Sequence, residues 1–390
     1  MTEPISEQAS RVLGAIGAFT EWAFTLPQER LCDFLFGNPQ EVAPAPYVDT
    51  LVTASLPKDK DHYAYKLNEP DATMVVAAGL RERFGLAFEP DDIFMTNGNF
   101  AGLTIVLRTI ADPGDEVIFI SPPWFFYETL ILSVGATPVR VHADPETFDL
   151  DLDALAAAIT SRTRAVIVNS PNNPSGRIYT PQTLEALSRI LRDASDRAGR
   201  PVYLLSDEAY NRIVFDDRSF PTPVAYYEHS FLLYTYAKTL LSPGSRLGYV
   251  ALPPSMPGRE DLRSPLVVSQ IATGWAFPVA PLQYAVPGFE LLGPDLPALQ
   301  RRRDRVVSFL REQGYERVVE PEGTFYVIAR SPLADDLAFA DLLAARGIFV
   351  LPGSMFEMPG WFRVSLTGND DMVERAVPGF AAAIAEARAV

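Results

Sequence analysis

The sequence predicts an α/β protein: a large, mainly parallel sheet covered by helices on both faces, with a smaller α+β domain beside it. Short continuous runs of Val, Ile and Leu alternate with segments of helical period along the middle of the chain, as expected for parallel strands buried on both faces. The carboxyl-terminal part instead begins with a charged amphipathic helix and continues with short strands. The 390 residues suffice for one large and one small domain.

The predicted elements follow in order. DDIFMTNG is a strand ending at a glycine turn, and GNFAGLTIVLRTIA is the helix after it. EVIFISPP and RAVIVNSPNNPSG are buried strands closed by prolines or a turn cluster. The helix TPQTLEALSRILRDASDRAG comes next, and then the strands PVYLLSDEAY, FLLYTYAKT and LGYVALPP. Towards the end, DLPALQRRRDRVVSFLREQG is a helix, and GTFYVIAR, IFVLPGS and WFRVSL are strands with AFADLLAARG as a helix among them.

We expect residues 49–290 to form the large domain and residues 291–390 the small one. Residues 1–48 show little pattern beyond the mixed helical stretch RVLGAIGAF, and we expect them to pack with the small domain. In open α/β sheets the ligand site lies at the carboxyl ends of the strands. Most of the unusual polar residues follow an apolar run directly, so we look for the site at that edge.

Composition excludes several function classes. With 33 Lys+Arg against 49 Asp+Glu, the net charge of -16 repels nucleic-acid backbones and anionic lipid. The single cysteine, Cys32, allows no intrachain disulfide and fits a reducing compartment. The chain begins without the pattern of a signal peptide and has no run long enough to span a bilayer. We therefore expect a cytoplasmic protein. His62, His142 and His229 lack paired ligand spacing, so we expect no metal site.

Lys238 directly follows a buried apolar run, where an unpaired charge costs free energy. It is either a strand-end lysine that reaches solvent or an amine held in a pocket to form an imine with an aldehyde cofactor. Arg246 follows across SPGS, a turn able to bring it back to the same place. With Thr235 or Ser245, these two residues would form a phosphate cradle beside an amine.

Asp207 ends another buried strand, in PVYLLSDEAY. A carboxylate beneath a pyridine ring keeps the ring nitrogen protonated, so that the ring accepts electrons from a substrate carbanion. Tyr210 is placed to reach the hydroxyl of the same ring. The alternative role for Asp207 is a helix N-cap, and the two roles are compatible.

Two turns at strand ends add candidates. SPNNPSG, residues 170–176, closes a buried strand, so its asparagines lie over the end of the sheet. TNGNFAGL, residues 96–103, closes another strand and opens a helix. The backbone N–H groups of Gly98, Asn99 and Phe100 then face a ready phosphate site, although such a turn is more often only a turn.

Trp124 and Arg363 complete the candidates. Trp124 follows a strand, where an aromatic residue is either core or a platform for a flat ring. Arg363 lies inside the apolar run GWFRVSL and needs an anion. That anion is either a substrate carboxylate held by both guanidinium nitrogens or an internal acid such as Glu357 or Asp370.

From about Gly37 to the carboxyl terminus, these motifs and their order resemble the class I and II aminotransferases of fold type I, which use pyridoxal 5'-phosphate (PLP). The resemblance implies that Lys238 forms the Schiff base with PLP. It also implies that Asp207 and Tyr210 hold the pyridine nitrogen and the ring oxygen. Asn173 matches the asparagine at the ring oxygen near the substrate carboxylate, and Gly37 matches a glycine at the substrate mouth.

The resemblance further implies that Thr235 and Arg246 bind the cofactor phosphate and that Arg363 clamps the α-carboxylate. Trp124 falls where the family stacks an aromatic ring on the cofactor. Tyr65 falls where the family has a tyrosine that reaches the phosphate of the neighbouring subunit, so we expect a homodimer with shared sites. The implied reaction moves an amino group from an amino acid to a 2-oxo acid, with Lys238 carrying the Cα proton.

The chain departs from the family pattern in three places. Pro70 stands where the family usually has a glycine after the tyrosine. Phe100 stands where some aspartate-specific relatives have a lysine, and no arginine lies between positions 263 and 301 to clamp a second carboxylate. We therefore expect a neutral or aromatic amino donor and a site edge that includes Phe100, Trp124, Trp275 and Phe277.

Two alternatives remain open at this point. The same residues would serve another PLP reaction, such as a C–S lyase, a cyclase, a decarboxylation-linked deamination or an oxidative deaminase. The second alternative is a non-catalytic regulatory module, but such modules usually carry a DNA-binding domain. The net negative charge and the absence of a basic helix-turn-helix segment argue against a regulatory module.

Overall fold

The computed structural model describes residues 5–27 and 29–389. The helices are α1 (Glu7–Thr25), α2 (Ala45–Ser55), α3 (Pro70–Phe84), α4 (Gly98–Ile110), α5 (Tyr127–Ser133), α6 (Leu152–Ala158), α7 (Pro181–Ala198), α8 (Tyr236–Thr239), α9 (Arg259–Ala272), α10 (Ala280–Glu290), α11 (Leu296–Glu312), α12 (Asp336–Ala344) and α13 (Asp370–Ala387). The strands are β1 (Cys32–Phe34), β2 (Ile93–Thr96), β3 (Glu116–Ser121), β4 (Thr137–His142), β5 (Thr163–Asn169), β6 (Tyr203–Asp207), β7 (Ser230–Thr235), β8 (Gly248–Ala251), β9 (Val318–Val319), β10 (Tyr326–Arg330), β11 (Ile348–Pro352) and β12 (Trp361–Ser365).

The large sheet has seven strands in the order β2-β8-β7-β6-β5-β3-β4. Side chains alternate between its two faces, as the pleat of a strand requires. In β3, Phe119 packs into the cluster that contains α4, whereas Ile118 packs into the cluster that contains α7. Apolar residues on both faces of one strand explain the continuous apolar runs, and the predicted α/β class is confirmed.

One strand runs against the others. The pairs β3/β4, β3/β5, β5/β6 and β6/β7 are parallel, but β8 is antiparallel to both β7 and β2. The connection from β7 to β8 contains only the four-residue helix α8 and a turn, not a full crossover helix. The chain therefore turns back on itself, and the apolar run of β8 alone does not reveal its direction.

Helix α7 shows how local signals fix the elements. Thr180 caps the helix by accepting a hydrogen bond from the N–H of Thr183 at 3.1 Å, and Pro181 occupies the first helical position. Gly199 ends the helix with φ of 62°, a conformation that favours glycine. The leucines of this helix recur at helical spacing and are buried against the sheet.

The small sheet combines segments from both ends of the chain. Its strand order is β1-β11-β12-β10-β9, and β1 near the amino terminus pairs in parallel with β11. Phe34 of β1 packs in one core cluster with Val306 of α11 and Phe380 of α13. The division of the chain into domains at residues 48 and 290 stays a prediction.

Helix α1 contacts elements on both sides of this arrangement. Gln8 donates to the carbonyl of Ser133 at the end of α5. The ring of Phe19 stacks on Phe125 at 4.3 Å and meets Phe36 edge-on at 6.1 Å. Within the described ranges, no helix is long and apolar enough to cross a membrane.

Candidate active site

A cavity of about 210 Å³ lies at the carboxyl ends of β5, β6 and β7, where the sequence placed the site. The residues that line it are Asn99, Phe100, Trp124, Phe126, Asn169, Asn173, Asp207, Ala209, Tyr210, Thr235, Ala237, Lys238, Pro243 and Arg246. Nine of these were predicted as site residues from the sequence: Asn99, Phe100, Trp124, Asn173, Asp207, Tyr210, Thr235, Lys238 and Arg246.

Asp207 is held by hydrogen bonds to both carboxylate oxygens. Asn99 Nδ2 donates to Oδ1 at 2.7 Å, and the Tyr127 hydroxyl donates to Oδ2 at 2.5 Å. Burial raises the pKa of Asp207 to about 6, although these hydrogen bonds and the charge of Lys238 act in the opposite direction. Asp207 does not cap a helix, because the residues after it form a turn. The fixed carboxylate suits a cationic partner inside the cavity.

Lys238 lies on the short helix α8, immediately after β7. Thr235 caps this helix, because its hydroxyl accepts a hydrogen bond from the N–H of Ala237 at 3.3 Å. The amine Nζ lies 5.9 Å from the ring centre of Tyr210. Burial, and then the neighbouring Tyr326, raise the pKa of Tyr210 well above its ordinary value. Tyr210 therefore keeps its proton and is available as a hydrogen-bond donor.

One corner of the cavity is built to receive an anion. Helix α4 begins at Gly98, directly after β2, so the N–H groups of its first turn face the sheet edge. Arg246 adopts the left-handed conformation, with φ of 43°. Its Nη2 lies 2.9 Å from the position that a Cβ on residue 98 would occupy, so a side chain at this position would displace the guanidinium. The hydroxyls of Ser245 and Tyr47 are hydrogen-bonded beside it.

Arg363 lies in β12 and is 2% exposed. Its Nη1 donates to Asn173 Oδ1 and its Nη2 to the carbonyl of Leu35, both at 2.9 Å. Its guanidinium carbon lies 3.9 Å from the ring centre of Tyr326. Burial lowers the pKa of Arg363, and its Nε is buried without a hydrogen-bond partner among the described residues.

The two acids that the sequence offered as internal partners for Arg363 are engaged elsewhere. Glu357 pairs with Arg140 at 2.7 Å, and Asp370 pairs with Arg302 at 2.9 Å. The guanidinium thus retains an unused donor in a buried place, and this arrangement suits the carboxylate of a small ligand.

Aromatic rings form one wall of the cavity. Phe100 and Trp124 meet at 4.6 Å with an interplanar angle of 76°. Phe126, which the sequence analysis did not select, lies 4.8 Å from Phe100 and lines the same wall. This wall contacts whatever flat or apolar group enters the cavity.

The remaining predicted residues, Gly98, Arg363, Gly37 and Tyr65, lie outside the cavity lining. Gly37 is buried, and a Cβ there would lie 2.7 Å from the Phe325 ring, so the chain can pass this point only without a side chain. Tyr65 is 93% exposed, and its ring lies 6.1 Å from Phe277.

The expected place of Trp275 and Phe277 at the edge of the site stays a prediction. Neither residue lines the cavity, because the segment after α9 packs on the surface beside Tyr65. The proline at position 70 has a local explanation, since it is the first residue of α3, where its fixed φ suits a helix start.

The structure also shows site residues that sequence reasoning missed. Asn169 donates from Nδ2 to the Asp207 carbonyl at 2.8 Å and accepts from the N–H of Asn173 at 2.7 Å. The other contributors are Tyr127 and Tyr326. Asn169 ends the apolar run RAVIVN, so the strand-end rule that selected Asp207 would also have found it.

The chemistry of these residues fits PLP. The anion corner suits its phosphate, Asp207 suits its pyridine nitrogen, Tyr210 suits its ring oxygen and Lys238 suits its aldehyde. Asn99 Oδ1 and Arg363 Nε are buried without partners among residues 5–27 and 29–389, which leaves polar capacity for a bound molecule. Over the same residues, no cluster of three or more metal-binding side chains occurs.

Comparison with known proteins agrees with this chemistry. The family described as aminotransferase class I and II matches residues 72–380. The chain is 31% identical over 350 residues to the aspartate/prephenate aminotransferase of Thermus thermophilus, covering 87% of this chain and 88% of that protein. It is 33% identical over 330 residues to the aspartate/prephenate aminotransferase of Cereibacter sphaeroides, covering 79% and 80%.

A solved structure of an amino transferase from Eubacterium rectale aligns with a TM-score of 0.88. The sequences are 29% identical, and the alignment covers 98% of this chain and 99% of that one. The chain therefore belongs to the class I and II aminotransferases, PLP-dependent enzymes that transfer the amino group of an amino acid to a 2-oxo acid.

Proposed function

We propose that this aminotransferase works in the cavity around Lys238 and prefers a neutral or aromatic L-amino acid as donor. The observation that carries the substrate class is the lining of the cavity. Phe100, Trp124 and Phe126 form its wall, and the cations among the lining residues are Lys238 and Arg246. With Arg246 at the phosphate corner and Lys238 at the reacting carbon, the lining residues of the single chain offer no further cation to the side-chain carboxylate of a dicarboxylic donor.

Asp207, Tyr210 and Asn173 hold the cofactor ring in this proposal. The Asp207 carboxylate keeps a proton on the pyridine nitrogen, while Tyr210 and the Asn173 amide donate to the ring oxygen. PLP, when bound, supplies an electron sink that weakens the Cα–H bond of the amino acid. Trp124, which lines the cavity, would contact the cofactor ring.

Arg363 and Lys238 act on the substrate. Arg363, whose Nε is buried without a partner among the described residues, binds the α-carboxylate and so fixes the orientation of Cα. Lys238 would accept the Cα proton at its Nζ. Arg246, Thr235 and the N–H groups at the start of α4 hold the phosphate, so the ring stays in place while the proton moves.

We also propose a cytoplasmic homodimer. The single chain exposes apolar side chains on α2, α9 and the segments near Tyr65 and Trp275, among them Val52 at 56% and Val268 at 61%. Exposed apolar side chains of this size favour a protein interface. In this proposal the second copy covers Tyr65 and brings its hydroxyl towards the neighbouring phosphate corner. The buried free Cys32 is compatible with a reducing compartment.

A donor screen tests the proposed substrate class. Purified protein is loaded with PLP and offered phenylalanine, leucine, alanine or aspartate together with a 2-oxo acid acceptor, with Lys238→Ala as the inactive control. We expect turnover that requires the acceptor and a higher kcat/KM for phenylalanine or leucine than for aspartate. Preference for aspartate would overturn the donor class, and ammonia release without acceptor would favour another PLP reaction.

A further inference from the structure

A buried carboxylate outside the cavity joins two segments that carry site residues. Glu290 is the last residue of α10, and its side chain is 5% exposed. Arg212 Nη2 donates to both of its oxygens at 2.6 Å, and the Tyr236 hydroxyl donates to Oε1 at 2.5 Å. Arg83 is the second cation at this carboxylate, and its Nη1 donates to Oε2 at 3.0 Å.

The local structure accommodates this carboxylate closely. A Cβ on Gly79 of α3 would lie 2.9 Å from Glu290 Oε2, so any larger residue would push the acid away. Burial alone raises the pKa of Glu290, but the charges of Arg212 and Arg83 bring it below its ordinary value. Glu290 is therefore ionised in the folded protein, and its hydrogen bonds are charge-assisted.

The residues bonded to Glu290 lie close in sequence to the residues of the cavity. Tyr236 opens the helix α8 that contains Lys238, and Arg212 follows Tyr210 in the turn after β6. A helix of four residues has little stability of its own, so tertiary contacts determine its orientation.

We propose that Glu290 is a positioning residue for Lys238 and Tyr210. It holds the segment of Lys238 through Tyr236 and the segment of Tyr210 through Arg212. Because both ties end on one carboxylate, the two segments cannot shift independently. The amine and the phenol thereby keep the separation that proton transfer at the cofactor requires. The inference rests on the proposed role of Lys238.

Tyr236→Phe tests this inference with little disturbance, because it removes the hydroxyl and keeps the buried ring. Tyr249→Phe is the matched control. Tyr249 belongs to the same cluster, with its ring 6.1 Å from that of Tyr236, and its buried hydroxyl has no partner in the described chain. Glu290→Gln is a second variant that alters both ties, and Tyr236→Phe decides alone if Glu290→Gln does not fold.

Two readouts separate positioning from general stability. The first is the pH at which the visible absorbance of the PLP-loaded protein changes, measured without any amino acid. The second is the division between kcat and KM for a good donor. For Tyr236→Phe we expect a shift of about half a pH unit and a loss of about tenfold in kcat with KM nearly unchanged. Tyr249→Phe should match the wild type in both.

Equal behaviour of Tyr236→Phe and Tyr249→Phe in both readouts would overturn the positioning role. A change in unfolding temperature alone would overturn it as well. The absorbance titration requires no donor, so an error in the proposed donor class leaves its result intact. A wild-type protein without a cofactor absorbance band would contradict the role of Lys238 first.

Discussion

Arg363 Nη1 donates a hydrogen bond to Asn173 Oδ1 at 2.9 Å, between residues 190 positions apart. This contact joins β12 of the small sheet to the turn after β5 of the large sheet. The group expected to bind the substrate carboxylate is therefore fixed against a group expected to bind the cofactor ring. The two sheets complete one site, and a change at Arg363 should affect the substrate more than the cofactor.

We predict that Arg363→Lys keeps PLP bound but weakens substrates. Lysine retains the charge and loses the planar pair of donors, which costs about 3 kcal/mol, roughly 100-fold in kcat/KM. The loss should appear for both the amino acid and the 2-oxo acid, because both carry the same carboxylate. Steady-state kinetics check this, with Arg305→Lys, an exposed arginine paired with Glu374, as the control. Equal kinetics in the two variants would contradict the assignment.

We predict that Asp207→Asn lowers kcat by two to three orders of magnitude. The amide cannot keep a charged partner on the pyridine nitrogen, and removing one member of a buried charge pair costs about 2 to 5 kcal/mol. PLP should still bind through its phosphate, as equilibrium dialysis would show. Tyr127→Phe keeps the carboxylate and removes one donor, so we expect a much smaller loss. A fully active Asp207→Asn would refute the pyridine role.

We predict that Glu208→Gln removes a pH dependence of stability. Glu208 is fully buried, accepts from Ser206, Thr222 and Asn211, and burial raises its pKa from 4.5 to about 7. Between these values the folded protein keeps a proton that the unfolded chain has released, so wild-type stability falls as pH rises. The stability of Glu208→Gln relative to wild type should therefore increase by about 3 kcal/mol across this range.

Urea unfolding of the PLP-free proteins at several pH values measures this difference. Glu374→Gln is the control, because its stability relative to wild type should change with pH in the opposite direction. A hydrogen bond from Arg305 lowers the pKa of the exposed Glu374. A stability difference between Glu208→Gln and wild type that is flat with pH would show that Glu208 titrates normally.

We predict that Phe100→Lys moves the donor preference towards aspartate. A lysine in the apolar wall offers a cation to a second carboxylate, and one charge-assisted hydrogen bond is worth about 1.5 to 3 kcal/mol. The ratio of kcat/KM for aspartate over phenylalanine should rise roughly tenfold or more. Phe100→Leu removes the ring without adding charge and should not raise that ratio. An unchanged ratio in Phe100→Lys would place the donor side chain elsewhere.

Much of the large sheet and of the cavity was predictable from sequence because each depends on local rules. Strands buried on both faces leave continuous apolar runs, and a parallel sheet collects its strand-end residues at one edge, as it does Asp207, Asn173 and Lys238. Edge strand β4 was not predicted, because only one of its six residues is buried and it includes Pro138. Helices α9, α10 and α13 were not assigned either, and each contains an internal proline.

Other features depend on long-range contacts that no local pattern contains. Asn99 was selected for its backbone N–H, yet its side chain also bonds to Asp207, 108 positions away. The sequence around Tyr326 is typical of an ordinary strand residue. Only the pairing of β10 with β12 brings its ring against Arg363. Glu290 ends a helix that the sequence analysis did not assign, and its partners come from three other segments.

The most direct test of the central claim is to find the lysine that bonds to the cofactor. PLP-loaded protein is reduced with borohydride, which makes an imine permanent, and is then digested and mapped by mass spectrometry. We expect the cofactor mass on the peptide that contains Lys238, and we expect it to be absent from the same digest of Lys238→Ala. Cofactor mass on a different lysine, or none in the wild type, would contradict the account.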